Sequence, residues 1–328
     1  MSSNLVTCGF TSFNSEETIT IALNSALEQD YKNIEILIVD DNSSDSTINK
    51  IHAFFSQKEI NYRVIKHSVN LGVAEARNSL IKNAKGEFLA FFDSDDISYS
   101  NRISLQVSRI KEFEVQHLQK NSPKYFSPLC YSDREIFFEN KSKIYCKAMN
   151  INILDSIKFR EQIISSLLFC NSFPKNSETG STATCMLCAR IKTLKALNGF
   201  NSVLRRYEDL DLTIRAIMQK IPICKINKSL VKQYYKNREY KKNEHRYEKR
   251  LIYVHRNWLK KKRLYKIAYC FVILKKSILN FKIRKSLYYF FISFIHNPSI
   301  LFKRIISSFN TLFFTIKIKI IKNRFLDL

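Results

Sequence analysis

The segment GEFLAFFDSDD, residues 86–96, decides the fold. Its apolar run, Phe88 to Phe92, stops at Asp93, Asp95 and Asp96. A strand that is apolar at every position has both faces covered, which is the habit of a parallel sheet flanked by helices. Working outward, residues 34–39 form a second, largely apolar run ending in Asp40-Asp41, and residues 5–10 and 62–65 read as two further strands. Between them, Ile19, Ala22, Leu23, Ala26 and Leu27 share one helical face, and Ile48, Ile51 and Phe55 share another. Residues 73–84 read as a third helix. Four strands alternating with three helices predict an α/β fold whose central sheet is mostly parallel, with helices on both faces. Ligands of such sheets sit beyond the carboxyl ends of the strands, which directs attention to residues 11–14, 40–44, 67–72 and 93–96.

Beyond this module, residues 102–113 and 205–219 read as helices, and residues 180–190 as a loop opening into a strand. Pro123, Pro128 and Pro174 punctuate the region between. The chain has 328 residues, 45% of them apolar and 25% charged, which excludes collagen, low-complexity disorder and a small disulfide scaffold. Its net charge of +25 is uneven: residues 1–220 hold 27 Lys and Arg against 25 Asp and Glu, and residues 221–328 hold 27 against 4. We therefore expect a nearly neutral module, 1–220, and a basic helical tail, 221–328, that meets an anionic membrane surface or a nucleic acid. No uncharged apolar run reaches the ~18–20 residues of a spanning helix. Ile305, Phe309, Leu312, Ile316 and Ile320 fall on one stripe flanked by lysines, the pattern of a helix lying in a membrane interface or, alternatively, of a helix packed on the module with a solvated basic face.

Eight cysteines stand in mostly apolar contexts, and no signal peptide precedes them, so reduced, cytosolic, mostly buried thiols are expected. Cys185-x-x-Cys188 has no second pair to complete a zinc site.

The chemistry-bearing clusters are acidic. Crowded carboxylates at Asp93, Asp95 and Asp96 call for a positive charge, which a hard divalent cation shared with substrate phosphates would supply; a polar turn capping the next helix is the plainer alternative. Asp40, Asp41 and Asp45 suit hydrogen bonding to a nucleobase or ribose, or capping of the helix that follows. Arg77 is either a phosphate contact or a solvated helix residue. Glu208-Asp209 offers a general base, or negative charge stabilising a helix's first turn.

TSFNSEE, EILIVDDNSSDST, NLGVAEARN, GEFLAFFDSDD, GF and RRYEDLDLTIR occur in one order over residues 4–220. As a set they resemble the family 2 inverting glycosyltransferases of GT-A fold. The resemblance implies a nucleotide-binding half, about 1–100, and an acceptor half, about 101–220. It implies that Thr11 and Phe13 line the base pocket, that Asp41 hydrogen-bonds the base, and that Arg77 lies near the nucleotide. It implies that Asp93 and Asp95 bind the donor, with Asp95 and Asp96 at a Mg²⁺ or Mn²⁺ ion on its diphosphate, and that Asp209 is the base. Phe13 stands where the family often has Tyr. Gly180–Thr184 and Gly199-Phe200 resemble its acceptor-side loops more loosely. The implied donor is a nucleotide-sugar, by family tendency a UDP-sugar. The implied acceptor is a glycan or a polyprenyl-diphosphate-linked sugar of bacterial capsule or O-antigen synthesis. Such an enzyme would sit peripherally on the cytoplasmic face of the membrane, and Arg205 and Arg206 would be placed to meet an acceptor phosphate. The rival readings are a basic nucleic-acid-binding protein and a nucleotidyltransferase on a similar sheet.

Overall fold

The computed structural model describes residues 4–56, 58–117, 126–138, 142–152, 155–169, 180–234, 244–302 and 305. The chain opens with the expected alternation: β1 (Val6–Ser12), α1 (Ile19–Leu27), β2 (Ile34–Asp40), α2 (Thr47–Phe55), β3 (Tyr62–Lys66), α3 (Val73–Asn83) and β4 (Phe88–Asp93). There follow β5 (Asp96–Ser98), α4 (Arg102–His117), β6 (Leu129–Phe137), β7 (Lys143–Cys146), α5 (Ile157–Phe169), β8 (Leu187–Arg190), α6 (Ile191–Ala196), α7 (Glu208–Met218) and β9 (Ile223–Tyr234). The basic region holds α8 (Glu244–Val254), α9 (Arg256–Lys261), α10 (Tyr265–Leu279) and α11 (Ile283–His296). Most of the stripe expected over residues 305–321 lies outside the described residues, as do Cys170, Pro123 and Pro174.

Among the described residues, nine strands form one sheet in the order β3-β2-β1-β4-β8-β6-β9-β5, with β7 paired to β6. β3, β2, β1 and β4 are mutually parallel, which agrees with the largely apolar runs of β1, β2 and β4. Alternation along β1 sends Val6, Cys8 and Phe10 to one face, where α1, α2 and α4 cover them. The other face receives α3: a Cβ at Gly9 would come within 2.7 Å of Leu89 on β4 and 3.1 Å of Leu80 on α3, so glycine leaves room for both side chains. The far half of the sheet is mixed, because β8 runs antiparallel to both β4 and β6.

Most of the described cysteines are buried, as expected, and Cys146 and Cys270 are half-buried. Cys8, Cys130, Cys188 and Cys224 are buried in the core, and register places Cys188, Cys130 and Cys224 side by side on β8, β6 and β9. Burial pushes the Cys188 thiol up to about 12, so it stays protonated.

The chain divides into two compact units, Met1–Asp155 with Ser177–Lys236, and Ser156–Asn176 with Asn237–Leu328. The first unit contains the whole sheet and every candidate site residue. The second is helical. In it Phe271 and Leu274 of α10 cluster with Leu301, and Tyr289 and Phe290 of α11 pack against them.

Candidate active site

Parallel pairing aligns the carboxyl ends of three strands. Thr11 stands opposite Asp93 across β1 and β4, and Ser12 stands opposite Asp40 across β1 and β2. The acidic residues that end β2 and β4 therefore gather along one edge of the sheet, joined by the β1–α1 loop. There Ser15 Oγ and Ser94 Oγ lie 2.7 Å apart, which ties that loop to the DSDD turn. Phe13 is 49% exposed, so its ring is open for stacking.

The three acids at the end of β2 divide their work. Asp40 is fully buried and accepts from Ser12 Oγ at 3.0 Å and from the Ser43 amide at 2.8 Å. Asp45 accepts from the Thr47 amide at 3.0 Å and so caps the start of α2. Asp41 does neither. Its carboxylate accepts from the Leu71 amide at 2.9 Å, the Gly72 amide at 2.7 Å and, at 2.8 Å, pairs with a ring nitrogen of His67. It thereby fixes the loop before α3. Gly72 in that loop has φ +94, which glycine adopts without strain.

Arg77 was expected near the nucleotide or in solvent. It is 5% exposed, and its guanidinium reaches two carboxylates from distant parts of the chain. Nη2 donates to Asp93 Oδ1 at 3.3 Å and Nη1 donates to Glu208 Oε1 at 2.7 Å, while the group lies over the Phe200 ring. One buried cation thus brings the end of β4 and the start of α7 together, and with them the DSDD turn and Asp209.

The turn grades from open to closed. Asp93 keeps 25% of its side-chain surface, Asp95 is partly exposed, and Asp96 is buried. Burial, followed by the charges of Asp93 and Asp95, pushes the Asp96 carboxyl well above the usual carboxylate range. Asp96 accepts from Gln233 Nε2 at 3.3 Å, and its Oδ1 has no hydrogen-bond partner among the described residues. Oxygen atoms of Asp93 and Asp96 and the Cys185 sulfur lie within 4.8 Å of one another. Cys185 and Cys188 are thus not one site: Cys185 faces these acids and Arg134, and Cys188 belongs to the core. Behind the turn Arg102, fully buried, donates to the Phe91 carbonyl at 2.8 Å and to Ser98 Oγ at 2.9 Å. These bonds hold β4 and β5 at the angle that presents the acids.

Asp209 sits in the first turn of α7. The preceding Tyr207 has φ +65, a left-handed conformation that ends the incoming loop and starts the helix at Glu208 rather than at 205. Burial, then the charge of Glu208, raises the Asp209 carboxyl from 3.8 to about 6, and Arg77 opposes the rise. Asp211 anchors the helix: it pairs with Arg215 at 2.7 Å, and Arg215 donates to the Leu197 and Gly199 carbonyls. Asn78 binds both backbone groups of Phe200, the amide at 2.7 Å and the carbonyl at 2.9 Å. The Gly199-Phe200 stretch is therefore pinned to α3. Arg205 is exposed and donates to Asn70 Oδ1 at 2.9 Å, which links the approach to α7 with the loop that Asp41 holds.

Sequence reasoning did not foresee Cys185 or Arg134 beside the acids, nor Asn78 as a support. Asn78 directly follows Arg77 in NLGVAEARN, and that adjacency was the available signal.

Residues 8–162 match the family model described as Glycosyl transferase family 2. The chain carries a family 2 glycosyltransferase domain. It is 36% identical over 121 residues to the Escherichia coli protein WfgD, named UDP-Glc:alpha-D-GlcNAc-diphosphoundecaprenol beta-1,3-glucosyltransferase; the match covers 37% of this chain and 47% of that one. It is 43% identical over 106 residues to WfaP of the same organism and the same named activity, covering 31% and 40%. The matched part is thus less than half the length of either relative. Among solved structures, Staphylococcus aureus TarS 1-349 in complex with UDP-GlcNAc superposes with a TM-score of 0.56 at 19% identity, over 83% of this chain and 72% of that one. The glycosyltransferase domain therefore has the mixed α/β, GT-A-like architecture expected of it.

Proposed function

We propose that this glycosyltransferase transfers a sugar from a UDP-sugar to a hydroxyl of a polyprenyl-diphosphate-linked glycan, with inversion at the anomeric carbon, in bacterial capsule or O-antigen synthesis. The observation that carries the proposal is the Arg77 bridge, which joins Asp93 of the donor side to Glu208, the neighbour of Asp209. The named activities of WfgD and WfaP, and UDP-GlcNAc in the TarS complex, favour this donor and acceptor class.

Phe13 would stack on the base. Asp41 holds the loop that shapes the base pocket and retains acceptor capacity for the base itself, and Thr11 lines the pocket between them. The DSDD turn fits a divalent cation: a buried oxygen of Asp96 lacks a partner among the described residues, and burial, with the charges of Asp93 and Asp95, raises its carboxyl above the usual range, a penalty that a cation would offset. Asp93, Asp95 and Asp96 would hold Mg²⁺ or Mn²⁺. Bound there, the ion would neutralise the diphosphate leaving group. Asp209 takes the proton of the acceptor hydroxyl as the hydroxyl oxygen bonds to the anomeric carbon from the face opposite the diphosphate, whose bond to that carbon breaks and releases UDP. A carboxyl ionising near 6 is a stronger base than an ordinary aspartate and is still mostly ionised at neutral pH. The acceptor's polyprenyl anchor places the reaction at the cytoplasmic membrane face, where the basic region would meet anionic lipid.

The test is a transfer screen with UDP-, GDP- and dTDP-sugars, Mn²⁺ and a GlcNAc-diphosphopolyprenol acceptor. The expected result is a product of inverted configuration from a UDP-sugar. Failure with every donor, or retained configuration, overturns the proposal.

A further inference from the structure

The helical unit carries an apolar surface that its own packing does not use. Among the described residues, nine of the 22 large apolar side chains that stand exposed fall between Ile278 and Phe302. α11 is apolar on two opposite sides. One side, with Tyr289 and Phe290, packs on the small cluster of Phe271, Leu274 and Leu301. The opposite side presents Leu287 (53% exposed), Tyr288 (61%), Phe291 (58%) and Ile295 (76%), whose spacing of one, three and four residues makes a single stripe. At the start of the same helix Lys282, Arg284 and Lys285 are exposed. No acidic residue occurs between Glu248 and Asp327, a stretch with 19 Lys and Arg.

We propose that this outward face of α11 docks on an anionic lipid bilayer, with Leu287, Phe291 and Ile295 among the upper acyl chains, Tyr288 at headgroup level, and Lys282, Arg284 and Lys285 on the phosphates. Charge selects the occupant. A second copy would bring three like charges against three more, whereas an anionic surface neutralises them. A nucleic acid would satisfy the cations but leave the aliphatic side chains in water. No helix among the described residues is long and apolar enough to cross a membrane, so the contact lies in the interface plane. The inference deepens the membrane-linked part of the proposed function and stands on surface chemistry alone.

The experiment uses the full chain and vesicles of phosphatidylcholine with or without phosphatidylglycerol. Trp258 is the chain's one tryptophan, so Phe291→Trp adds a reporter at the centre of the stripe. On phosphatidylglycerol vesicles its emission should shift to the blue and be quenched by brominated acyl chains. Leu287→Ser with Ile295→Ser should weaken partitioning at least tenfold. Each of Lys282→Gln, Arg284→Gln and Lys285→Gln should weaken it about fivefold at low salt. A Phe291→Trp reporter that stays unquenched while the protein floats with vesicles overturns the face. So does a two-copy mass by light scattering that falls to one copy in the serine variant while vesicle binding is unchanged, and so does binding to duplex DNA at matched salt with no binding to vesicles. Transfer to a soluble acceptor, measured alongside, separates the two proposals: lost docking with retained transfer leaves the activity standing, and absent transfer with a reporter that is quenched on vesicles does the reverse.

Discussion

Replacing Asp209 with Asn should abolish turnover and, at the same time, stabilise the fold at neutral pH. The carboxyl ionises at about 6 in the folded chain and at 3.8 when unperturbed. Between those values the folded state binds the proton more tightly than the unfolded one, so stability falls as pH rises through the window. Ionising Asp209 in place costs about 3 kcal/mol by this arithmetic. The residue is only partly buried, so water screens some of that, and about 1–2 kcal/mol remains at pH 7.5. Asn carries no charge to ionise and removes that cost. Urea unfolding followed by far-ultraviolet circular dichroism should therefore show Asp209→Asn more stable than wild type at pH 7.5 and nearly equal to it near pH 4. Transfer should fall about 10²–10⁴-fold, the usual worth of a general base, with donor affinity nearly unchanged. A variant that is destabilised at pH 7.5 would mean that ionised Asp209 is a favourable partner of Arg77 rather than a base held at a raised pKa, and the reasoning would fail.

In the wild type, activity should decline as pH drops through about 6, because the base must be ionised to accept a proton; a flat profile between pH 5 and 8 would remove Asp209 from the role. Arg77→Met leaves Glu208 and Asp93 facing each other without their shared cation, and should cost about 3–5 kcal/mol by urea unfolding; a loss below about 1 kcal/mol would show that the bridge does not hold the site. Asp41→Asn weakens the acceptors of the Leu71 and Gly72 amides and should raise the donor KM about tenfold with little change in kcat, measured by initial rates; a kcat effect alone would exclude a binding role. Excess EDTA, or Asp95→Ala, should remove transfer, and Mn²⁺ should restore it after EDTA; full activity in EDTA would refute the metal.

What could be read from the chain, and what could not, divides by the range of the interaction. β1, β2 and β4 were legible because a strand buried on both faces is largely apolar and ends where the chain meets water. The same rule located the acids of β2 and β4, since those two runs stop at carboxylates. β9 was not legible in that way. Its lysines, Lys225, Lys228 and Lys232, belong by composition to the basic region, and a boundary drawn at 220 from charge falls before it; yet Ile223–Tyr234 pairs with β6 and β5 inside the sheet. That pairing is also what encloses Asp96, which faces Gln233 from a strand 137 positions away. Arg77 shows the limit most clearly. Its place on a helix permits a solvated side chain or a phosphate contact, and nothing local separates the two. Its partners are 16 and 131 positions off, and only folding reveals that the guanidinium is already committed to two carboxylates. A buried Arg so committed is a poor phosphate ligand. Its contacts reach Asp93 and Glu208, so in the proposed function it acts through them, as a tie between the end of β4 and the helix that bears Asp209.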